Sequence, residues 1–423
     1  ANGVLLVGAS IGAQEPLLLQ NATVIDGRGG PPVAGQSVLI RDGRIAVVGS
    51  GAAITVPAGT RTIDLTGKCL IPGLIDTHLH GPPDSAQVAR RLEFLLRHGV
   101  TSARDMAGDA HVLGLVANVA TPATVPMARL YYSAFWAGQS FYDADQRPVG
   151  STQGKPPGTV PWFQAVATPA DAAAHIAAAA GTGAHALKLY ADLPAETFKA
   201  AVEAAHRHGL RALSHTAVMP LRPRDVLAAG IDGVSHAALL VWEAAERVPP
   251  RFHTEPHTAF GPVGPYPTVS PEDPRIVAVL DTIKARGIVL DATISTIEHG
   301  ISEEASEWTV EVTTLAHERG VMLSTGTDRP ESPRPGRQPV VFDEIEMLVN
   351  RVGLTPLEAI TAASLNGARA IGIDRETGTI EVGKAADLVV LERNPVDDIR
   401  SLRHPSLIIK GGVTHQPAAR GEH

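Results

Sequence analysis

The chain has 423 residues, of which 44% are hydrophobic and 19% are charged, and its formal net charge is −8. This balance is typical of a globular protein large enough for one sizeable α/β domain and a small companion domain. The acidic charge argues against a nucleic-acid partner. The single cysteine, Cys69, excludes a disulfide framework and a cysteine-based zinc site, and no apolar run is long enough to span a membrane.

The first segment, residues 1–14, is apolar and has small residues towards its end. Such a pattern is typical of what remains of a secretory signal peptide, although a plain N-terminal strand is the alternative. We therefore expect an exported protein, periplasmic or secreted, rather than a cytoplasmic one.

Both ends of the remaining chain have the short apolar runs and glycine turns of β structure. Residues 15–68 include two strands, 36–40 and 44–49, that flank an Asp-Gly turn and predict a hairpin. Residues 374–423 include a segment, 378–391, that predicts two strands, and a further strand at 407–412. We predict that the two ends pair into one small β-sandwich domain.

Strands and helices alternate over the middle of the chain, residues 69–373. Apolar runs predict strands at 70–80, 100–106, 130–135, 184–190, 211–215, 233–236, 288–292 and 322–328. Helical patterns lie between most of them, and two further helices are predicted at 342–352 and 356–371. Repeated strand-then-helix units predict a parallel sheet, and eight of them predict an α/β fold of the (β/α)8 TIM-barrel type.

Two long excursions, residues 136–168 and 241–275, interrupt this pattern and are rich in proline and glycine. Loops of such length are usually functional or disordered. The first excursion and the strand before it hold a concentration of aromatic residues: Tyr131, Tyr132, Phe135, Trp136, Phe141, Tyr142, Trp162 and Phe163. These side chains are expected either to form an apolar wall over an active site or simply to hold the loop down.

The end of the first barrel strand carries His78 and His80. Residues two apart in a strand point to the same face, so both imidazoles can reach one metal ion. Three later strands end near His215, His236 and Asp328. Because the active face of a barrel is the one where its strands end, these groups are expected to converge there.

A fifth strand carries Lys188 in the middle of an apolar run. Burial lowers the pKa of a lysine, and a neutral amine can add carbon dioxide to form a carbamate able to bridge two cations. A salt bridge between Lys188 and a barrel carboxylate is the alternative.

These motifs together resemble the amidohydrolase superfamily, in its imidazolonepropionase-like and prolidase-like branch. The resemblance rests on the segments 72–80, 214–215, 235–236 and 325–328, on the Lys188 strand, and on the tail segments 355–360, 366–372 and 378–388. It implies a distorted TIM barrel with a small β-sandwich and a binuclear site for two divalent metal ions, commonly zinc. The implied ligands are His78, His80 and Asp328 for the more buried ion, His215 and His236 for the other, and carboxylated Lys188 as the bridge.

Such a site is suited to hydrolysis. Two metal ions lower the pKa of a bridging water enough to give hydroxide near neutral pH, and one ion polarises the scissile carbonyl. Asp328 is expected to take the proton of the hydroxide and pass it to the leaving amine. We predict hydrolysis of an amide-type C–N bond in an amide, peptide, carbamate or lactam, and the aromatic excursion favours an apolar or aryl substrate.

Two residues near the predicted ligands are candidates for substrate contacts. Tyr190 is two residues beyond Lys188 and is expected to share its face, where its hydroxyl would reach a substrate carbonyl; packing at the barrel rim is the alternative. Arg329 is a candidate for gripping a carboxylate only because it follows Asp328. His253, His257 and His299 are further candidates to lie near the site on loops, although solvated loop histidines are the favoured expectation.

Three other functions compete with the amide hydrolase. An ester or lactone hydrolase would use the same binuclear site, and the sequence does not separate the two. A deaminase usually uses one metal and no bridging lysine, so Lys188 argues against it, and a binding protein on an inactive scaffold would have lost some of the ligands. The expected partner is a small-molecule substrate, without nucleic acid or membrane, and a homo-oligomer is compatible with the resemblance.

Overall fold

The computed structural model describes residues 14–51, 54–258, 261–300, 302–329, 333–334 and 336–419. The predicted signal remnant, apart from residue 14, lies outside the described residues. The first five strands build most of an outer sheet: β1 (Leu17–Val24), β2 (Val33–Arg41), β3 (Arg44–Ser50), β4 (Arg61–Asp64) and β5 (Cys69–Pro72). The predicted hairpin is β2–β3, and both residues of its turn, Asp42 and Gly43, have a positive φ, as a tight hairpin turn requires.

The chain passes from the outer sheet into the barrel at Gly73. A Cβ atom there would lie 2.2 Å from Oγ1 of Thr101, so only glycine fits at this crossing. The first barrel elements follow: β6 (Leu74–Leu79), α1 (Ser85–Arg97), β7 (Val100–Asp105), α2 (Ala110–Ala120) and β8 (Arg129–Ala137).

The middle of the chain continues the alternation. It contains α3 (Gln139–Ala144), β9 (Thr159–Val160), β10 (Phe163–Ala165), α4 (Pro169–Ala180), β11 (Ala186–Leu189), α5 (Ala195–Arg207), β12 (Arg211–His215), α6 (Pro223–Ala228) and β13 (Gly233–Ser235). The second half of the barrel contains β14 (His257–Thr258), β15 (Gly261–Pro262), α7 (Pro274–Ala285), β16 (Val289–Asp291), α8 (Ile294–Gly300), α9 (Glu303–Glu318) and β17 (Met322–Ser324).

The last elements are α10 (Val341–Met347), α11 (Pro356–Thr361), α12 (Gly367–Ile371), β18 (Leu388–Leu391), β19 (Pro405–Lys410) and β20 (Val413–His415). Short π-helical segments, Leu348–Val352 and Ala362–Asn366, extend α10 and join α11 to α12. The two helices predicted after the last barrel strand are therefore present.

Eight parallel strands form the barrel, in the order β6, β7, β8, β11, β12, β13, β16 and β17. Backbone hydrogen bonds from Thr77 N to Thr325 O (3.2 Å) and from Asp328 N to His78 O (2.8 Å) join the segments of the first and eighth strands. The predicted α/β fold with a (β/α)8 barrel is confirmed.

The two chain ends combine in one outer sheet of eight strands. Its order is β20-β19-β18-β5-β1-β2-β3, with β4 also paired to β1, and its apolar core includes Leu19, Val38, Leu70, Leu388 and Ile409. This arrangement confirms a small β domain built from both ends. The predicted division of the chain at residues 69 and 373 remains a prediction.

Two differences from the predicted elements have local causes. In the segment 378–391 only β18 is a strand, because Gly378 and Gly383 both adopt a positive φ and turn the backbone away from extended pairing. The excursion predicted to run to residue 275 ends where α7 begins, at Pro274. Within the described residues, no helix has both the length and the apolar character that crossing a membrane requires.

Candidate active site

Three predicted ligands lie close together at the mouth of the barrel. The Nε2 atom of His80 is 2.8 Å from Oδ1 of Asp328, and Nε2 of His78 is 3.3 Å from the same oxygen. One nitrogen or oxygen atom from each of the three residues lies within 4.8 Å of those of the other two. This spacing is that of a group able to hold one metal ion.

The backbone around these ligands is fixed by one buried carboxylate, Asp76 in β6. It accepts hydrogen bonds from the backbone N–H of His78 (3.0 Å) and from the hydroxyl of Thr327 (3.0 Å), which precedes Asp328. Asp328 itself has a φ of +48°, a conformation that non-glycine residues seldom adopt and that concentrates at functional sites. The first and eighth strands thus hold their ligands in one rigid unit.

Two more predicted ligands, His215 and His236, lie beside this group. Nε2 of His236 is 3.8 Å from Oδ2 of Asp328, and the rings of His215 and His236 have centroids 4.6 Å apart. His236 also has a positive φ, of +71°. Its Nδ1 is 2.8 Å from the hydroxyl of Thr293, so that its Nε2 faces the cavity.

Lys188 completes the set of predicted ligands that the structure brings together. It is 1% exposed and lines the same cavity as the four histidines and Asp328. Its Nζ atom is buried and has no hydrogen-bond partner among the described residues. The alternative of a salt bridge to a barrel carboxylate is wrong, because no described carboxylate oxygen lies within bonding distance of Nζ.

The pKa values of the side chains in the cluster favour the protonation states that can bind a metal ion. Burial lowers the pKa of Lys188 to about 7, and burial also lowers the pKa values of His215 and His236 well below their usual range. Burial alone would raise the pKa of Asp328, but the neighbouring histidines, His78 foremost, hold it well below the ordinary value. Neutral imidazoles and a charged carboxylate are the forms that bind metal ions.

His78 differs from the other histidines. Burial acts to lower its pKa, but the charge of Asp328 and the hydrogen bond to Asp291 outweigh burial and raise it. A cation at this position would take the place of a proton between His78 and Asp328. The donor set of neutral imidazoles, one carboxylate and an unpartnered buried amine therefore fits divalent metal ions such as zinc.

The cluster lines a cavity of about 610 Å³. Its apolar wall includes Phe135, Phe141, Phe163 and Met106, whereas Trp136 and Trp162 are buried in the core behind it. The aromatic residues of the first excursion therefore serve both of the expected purposes, since some line the cavity and others hold the loop down.

Tyr190 lies in this wall and contacts a predicted ligand. Its ring packs edge-on against His215, with centroids 4.2 Å apart, and its hydroxyl accepts a hydrogen bond from Arg147 (3.3 Å). Burial raises the pKa of Tyr190 to about 12, so the hydroxyl stays protonated and able to donate. Tyr190 thus shares the cavity with Lys188.

Arg329 also lines the cavity, as its place beside Asp328 predicts. Its Nη2 atom donates to the carbonyl of Ser295 (3.1 Å), and its Nε atom is buried without a hydrogen-bond partner in the described structure. His253 is not a solvated loop histidine. Its Nε2 is 3.0 Å from the buried carboxylate of Asp145 in the other excursion.

Two polar residues that orient the ligands are absent from the predicted set. Asp291 lies 2.9 Å from Nδ1 of His78, and Thr293 contacts His236 as described above. A charged residue in the otherwise apolar strand 288–292 is the one sequence signal that points to Asp291.

The model of the amidohydrolase family matches residues 69–416, which is most of the chain. The chain belongs to the amidohydrolase family. The predicted resemblance is confirmed, and the barrel with its outer sheet agrees with the fold of the solved amidohydrolase structures.

Individual relatives of this amidohydrolase align with only part of its sequence. The chain is 32% identical over 152 residues to ochratoxinase of Aspergillus niger, an alignment that covers 32% of the chain and 30% of the relative. It is 34% identical over 106 residues to imidazolonepropionase of Brevibacillus brevis, which covers 23% of each protein. These alignments span less than a third of the length of either relative.

Solved structures match over nearly the whole chain. The crystal structure of A. niger ochratoxinase superposes with a TM-score of 0.73 at 24% identity and covers 97% of both chains. A Xaa-Pro dipeptidase with methionine bound in its active site superposes with a TM-score of 0.71 at 19% identity and covers 95% of this chain and all of that one. At these identities the two structures establish the fold.

Proposed function

We propose that this amidohydrolase is a metal-dependent hydrolase of an amide-type C–N bond. The observation that carries the proposal is the convergence of His78, His80, His236 and Asp328 within a few ångströms, in a cavity that also contains the unpartnered amine of Lys188. Ochratoxinase and imidazolonepropionase, among the similar proteins, support this class of reaction.

The proposed ligands would hold two divalent cations, with zinc the expected metal. One cation would be held by His78, His80 and Asp328, the other by His215 and His236, and Lys188 would lie between them as its carbamate. Divalent cations in such a site supply Lewis acidity, which polarises a carbonyl oxygen and makes water acidic enough to ionise near neutral pH.

Proton transfer is assigned to Asp328. Its carboxylate is ionised and faces the three histidines, so it can accept a proton from the attacking water and deliver it to the leaving nitrogen. The hydroxyl of Tyr190 accepts from Arg147 and keeps its own proton free for a substrate carbonyl. Both residues act from the same cavity.

The wall of the cavity favours an apolar or aryl group on the substrate. Phe135, Phe141 and Phe163 offer ring surface next to the proposed reacting centre, and aromatic surface binds apolar and aryl groups well. We therefore propose aryl-bearing amides, including N-acyl aromatic amino acids, as the first substrates to test.

Metal content per chain, measured by elemental mass spectrometry on protein purified without chelator, is the decisive experiment. We expect about two equivalents of a divalent metal, loss of amide hydrolysis on chelation, and recovery with added zinc. Protein that takes up no metal would overturn the proposal, and one equivalent together with ammonia release from aminopurines would favour a deaminase. His206→Ala is the matched control, because His206 is an exposed histidine that pairs with Asp232 and does not line the cavity.

An ester or lactone hydrolase uses the same groups and differs only in the leaving group. Matched pairs of amide and ester substrates with the same acyl group separate the two functions. A proton delivered by Asp328 matters more for an amine than for an alkoxide leaving group, so Asp328→Asn is expected to lower amide hydrolysis more than ester hydrolysis.

A further inference from the structure

We infer that Asp291 is a positioning residue that fixes the ring of His78 for metal binding, and that Gly326 is required because no larger residue leaves room for the Asp291 carboxylate. This inference rests on the proposed function, since it assigns the support of one proposed metal ligand. It adds two residues, from the seventh strand and from the segment after the eighth, to the machinery of the site.

The contact between Asp291 and His78 is buried and direct. Asp291 ends β16, and its Oδ2 lies 2.9 Å from Nδ1 of His78, with side-chain exposures of 3% and 1%. An imidazole that donates its Nδ1–H to a carboxylate keeps the lone pair of Nε2 free for a metal ion. Nε2 of His78 is the atom that faces Asp328, so the hydrogen bond selects the tautomer that the site needs.

The carboxylate of Asp291 bonds to His78 and not to the buried guanidinium of Arg104. Arg104 lies in the barrel interior, but its Nε donates to the carbonyl of Thr77 (2.9 Å) and its Nη1 to that of Ala370 (2.6 Å). The second oxygen of Asp291, Oδ1, is buried without a hydrogen-bond partner in the described part of the chain. If Asp291 served only to neutralise the charge of Arg104, its carboxylate would be expected to accept a hydrogen bond from the Arg104 guanidinium.

Gly326 provides the space that this carboxylate occupies. A Cβ atom at residue 326 would lie 2.2 Å from Oδ1, 2.3 Å from Oδ2 and 2.5 Å from Cγ of Asp291. The φ of Gly326 is outside the left-handed region, so the requirement for glycine comes from space and not from backbone conformation. A methyl group at this position must move Asp291 away from His78.

The first test measures metal binding by the holoenzyme and its Asp291 variants. Zinc affinity is determined by chelator competition, and the visible spectrum of the cobalt-substituted protein reports ligand geometry. Asp291→Ala should weaken one of the two metal equivalents by roughly 10- to 100-fold and alter the cobalt spectrum. Asp291→Asn, which keeps an oxygen that accepts from Nδ1, should recover part of the affinity. Glu243→Gln, which changes a buried carboxylate that pairs with Arg224 and does not line the cavity, should bind metal as the wild type does.

The second test is a double-mutant cycle with Gly326→Ala, which removes no polar atom. On its own, Gly326→Ala should reproduce the loss of metal affinity seen in Asp291→Ala. In the Asp291→Ala background it should lower the affinity by less than about a further threefold, because the carboxylate that would clash with the new Cβ atom is absent. Fully additive losses, or wild-type affinity and spectrum in Asp291→Ala and Gly326→Ala, would overturn the inference. Thermal unfolding of chelated samples shows that each variant is folded, and failure of the wild type to bind metal would instead overturn the proposed function.

Discussion

His253 and Asp145 join the two long excursions of the chain beside the cavity. Nε2 of His253 lies 3.0 Å from Oδ2 of Asp145, and the same carboxylate receives two hydrogen bonds from Nε of Arg147, each of 2.9 Å. Arg147 in turn donates to Tyr190. The carboxylate thus connects both excursions to a residue of the cavity wall.

Asp145→Ala is expected to weaken substrate binding more than it slows the chemical step. It leaves Arg147 and His253 without their common acceptor, and a lost hydrogen bond to a charged group costs about 1.5–3 kcal/mol. We expect KM for an aryl amide to rise by roughly tenfold with a smaller change in kcat. Asp143→Ala, which changes a nearby exposed acid that accepts a hydrogen bond from Gln139, serves as the control, and a fall in kcat at constant KM would contradict the expectation.

Lys188→Met should separate metal binding from folding. The variant loses the proposed bridge, so we expect loss of at least one metal equivalent and a fall in activity of at least 100-fold, or about 2.7 kcal/mol of transition-state stabilisation. The metal-free protein should be as stable as the wild type or more so, because a buried amine without a partner is costly. Elemental analysis tests the expected metal loss, and thermal unfolding in chelator tests the expected stability of the metal-free protein. Lys199→Met, which changes an exposed lysine, is the control. Two retained metals and full activity would refute the bridging role.

Removal of the Asp387 side chain should destabilise the contact between the barrel and the outer sheet. Its carboxylate, 1% exposed, pairs with Arg129 at the start of β8 (2.5 Å) and accepts from the N–H of Gly411 (2.7 Å). Breaking a buried pair by removing one partner typically costs about 3–5 kcal/mol. We expect Asp387→Ala to lower the free energy of unfolding by that order in urea titrations. Glu392→Ala, which breaks the partly exposed pair with Lys68, should cost under about 1 kcal/mol.

Glu344 is expected to make the metal-free protein more stable in mild acid. Its buried carboxyl accepts from the backbone N–H groups of Ile294 (3.0 Å) and Ser295 (2.8 Å), and burial raises its pKa to about 7. Between its ordinary pKa and 7 the folded state binds more protons than the unfolded state, so this contribution to stability falls as pH rises through that window. Unfolding free energies of chelated wild type and Glu344→Gln should therefore diverge between about pH 4.5 and 7, by at most roughly 3 kcal/mol. Parallel pH profiles would refute this account.

The six proposed ligands can be predicted from the sequence, because five of them stand near the end of an apolar run that predicts a strand and Lys188 is a charged residue within such a run. His78 and His80 need only the two-residue period of a strand, and Asp328 needs only the rule that parallel strands end on one face. Asp291 is different, because its role depends on a contact with a residue 213 positions away. No local pattern encodes such a pairing, and the same holds for Thr293 and His236, 57 positions apart.

Secondary structure was less predictable where tertiary contacts decide it. The residues of α2 include three valines and a glycine, which are poor helix formers, yet Asp109 caps its first turn by accepting from the N–H groups of His111 and Val112. At its other end, Lys410 of β19 donates to three carbonyls, among them that of Ala120 at 2.6 Å. The end of α2 is thus set by a residue 290 positions away.

The seam, or junction, between the first and eighth barrel strands determines when the proposed metal ligands can come together. The hydroxyl of Thr325 donates to the carbonyl of Ile75 across 250 residues, and the ligands His78 and Asp328 lie on the two sides of this seam. During synthesis the three-ligand group therefore cannot assemble before residue 328 has left the ribosome and the ring of strands has closed. In the finished protein, separation of these two strands would also part the ligands, so we expect a bound ion to stabilise the closed ring of strands at this junction.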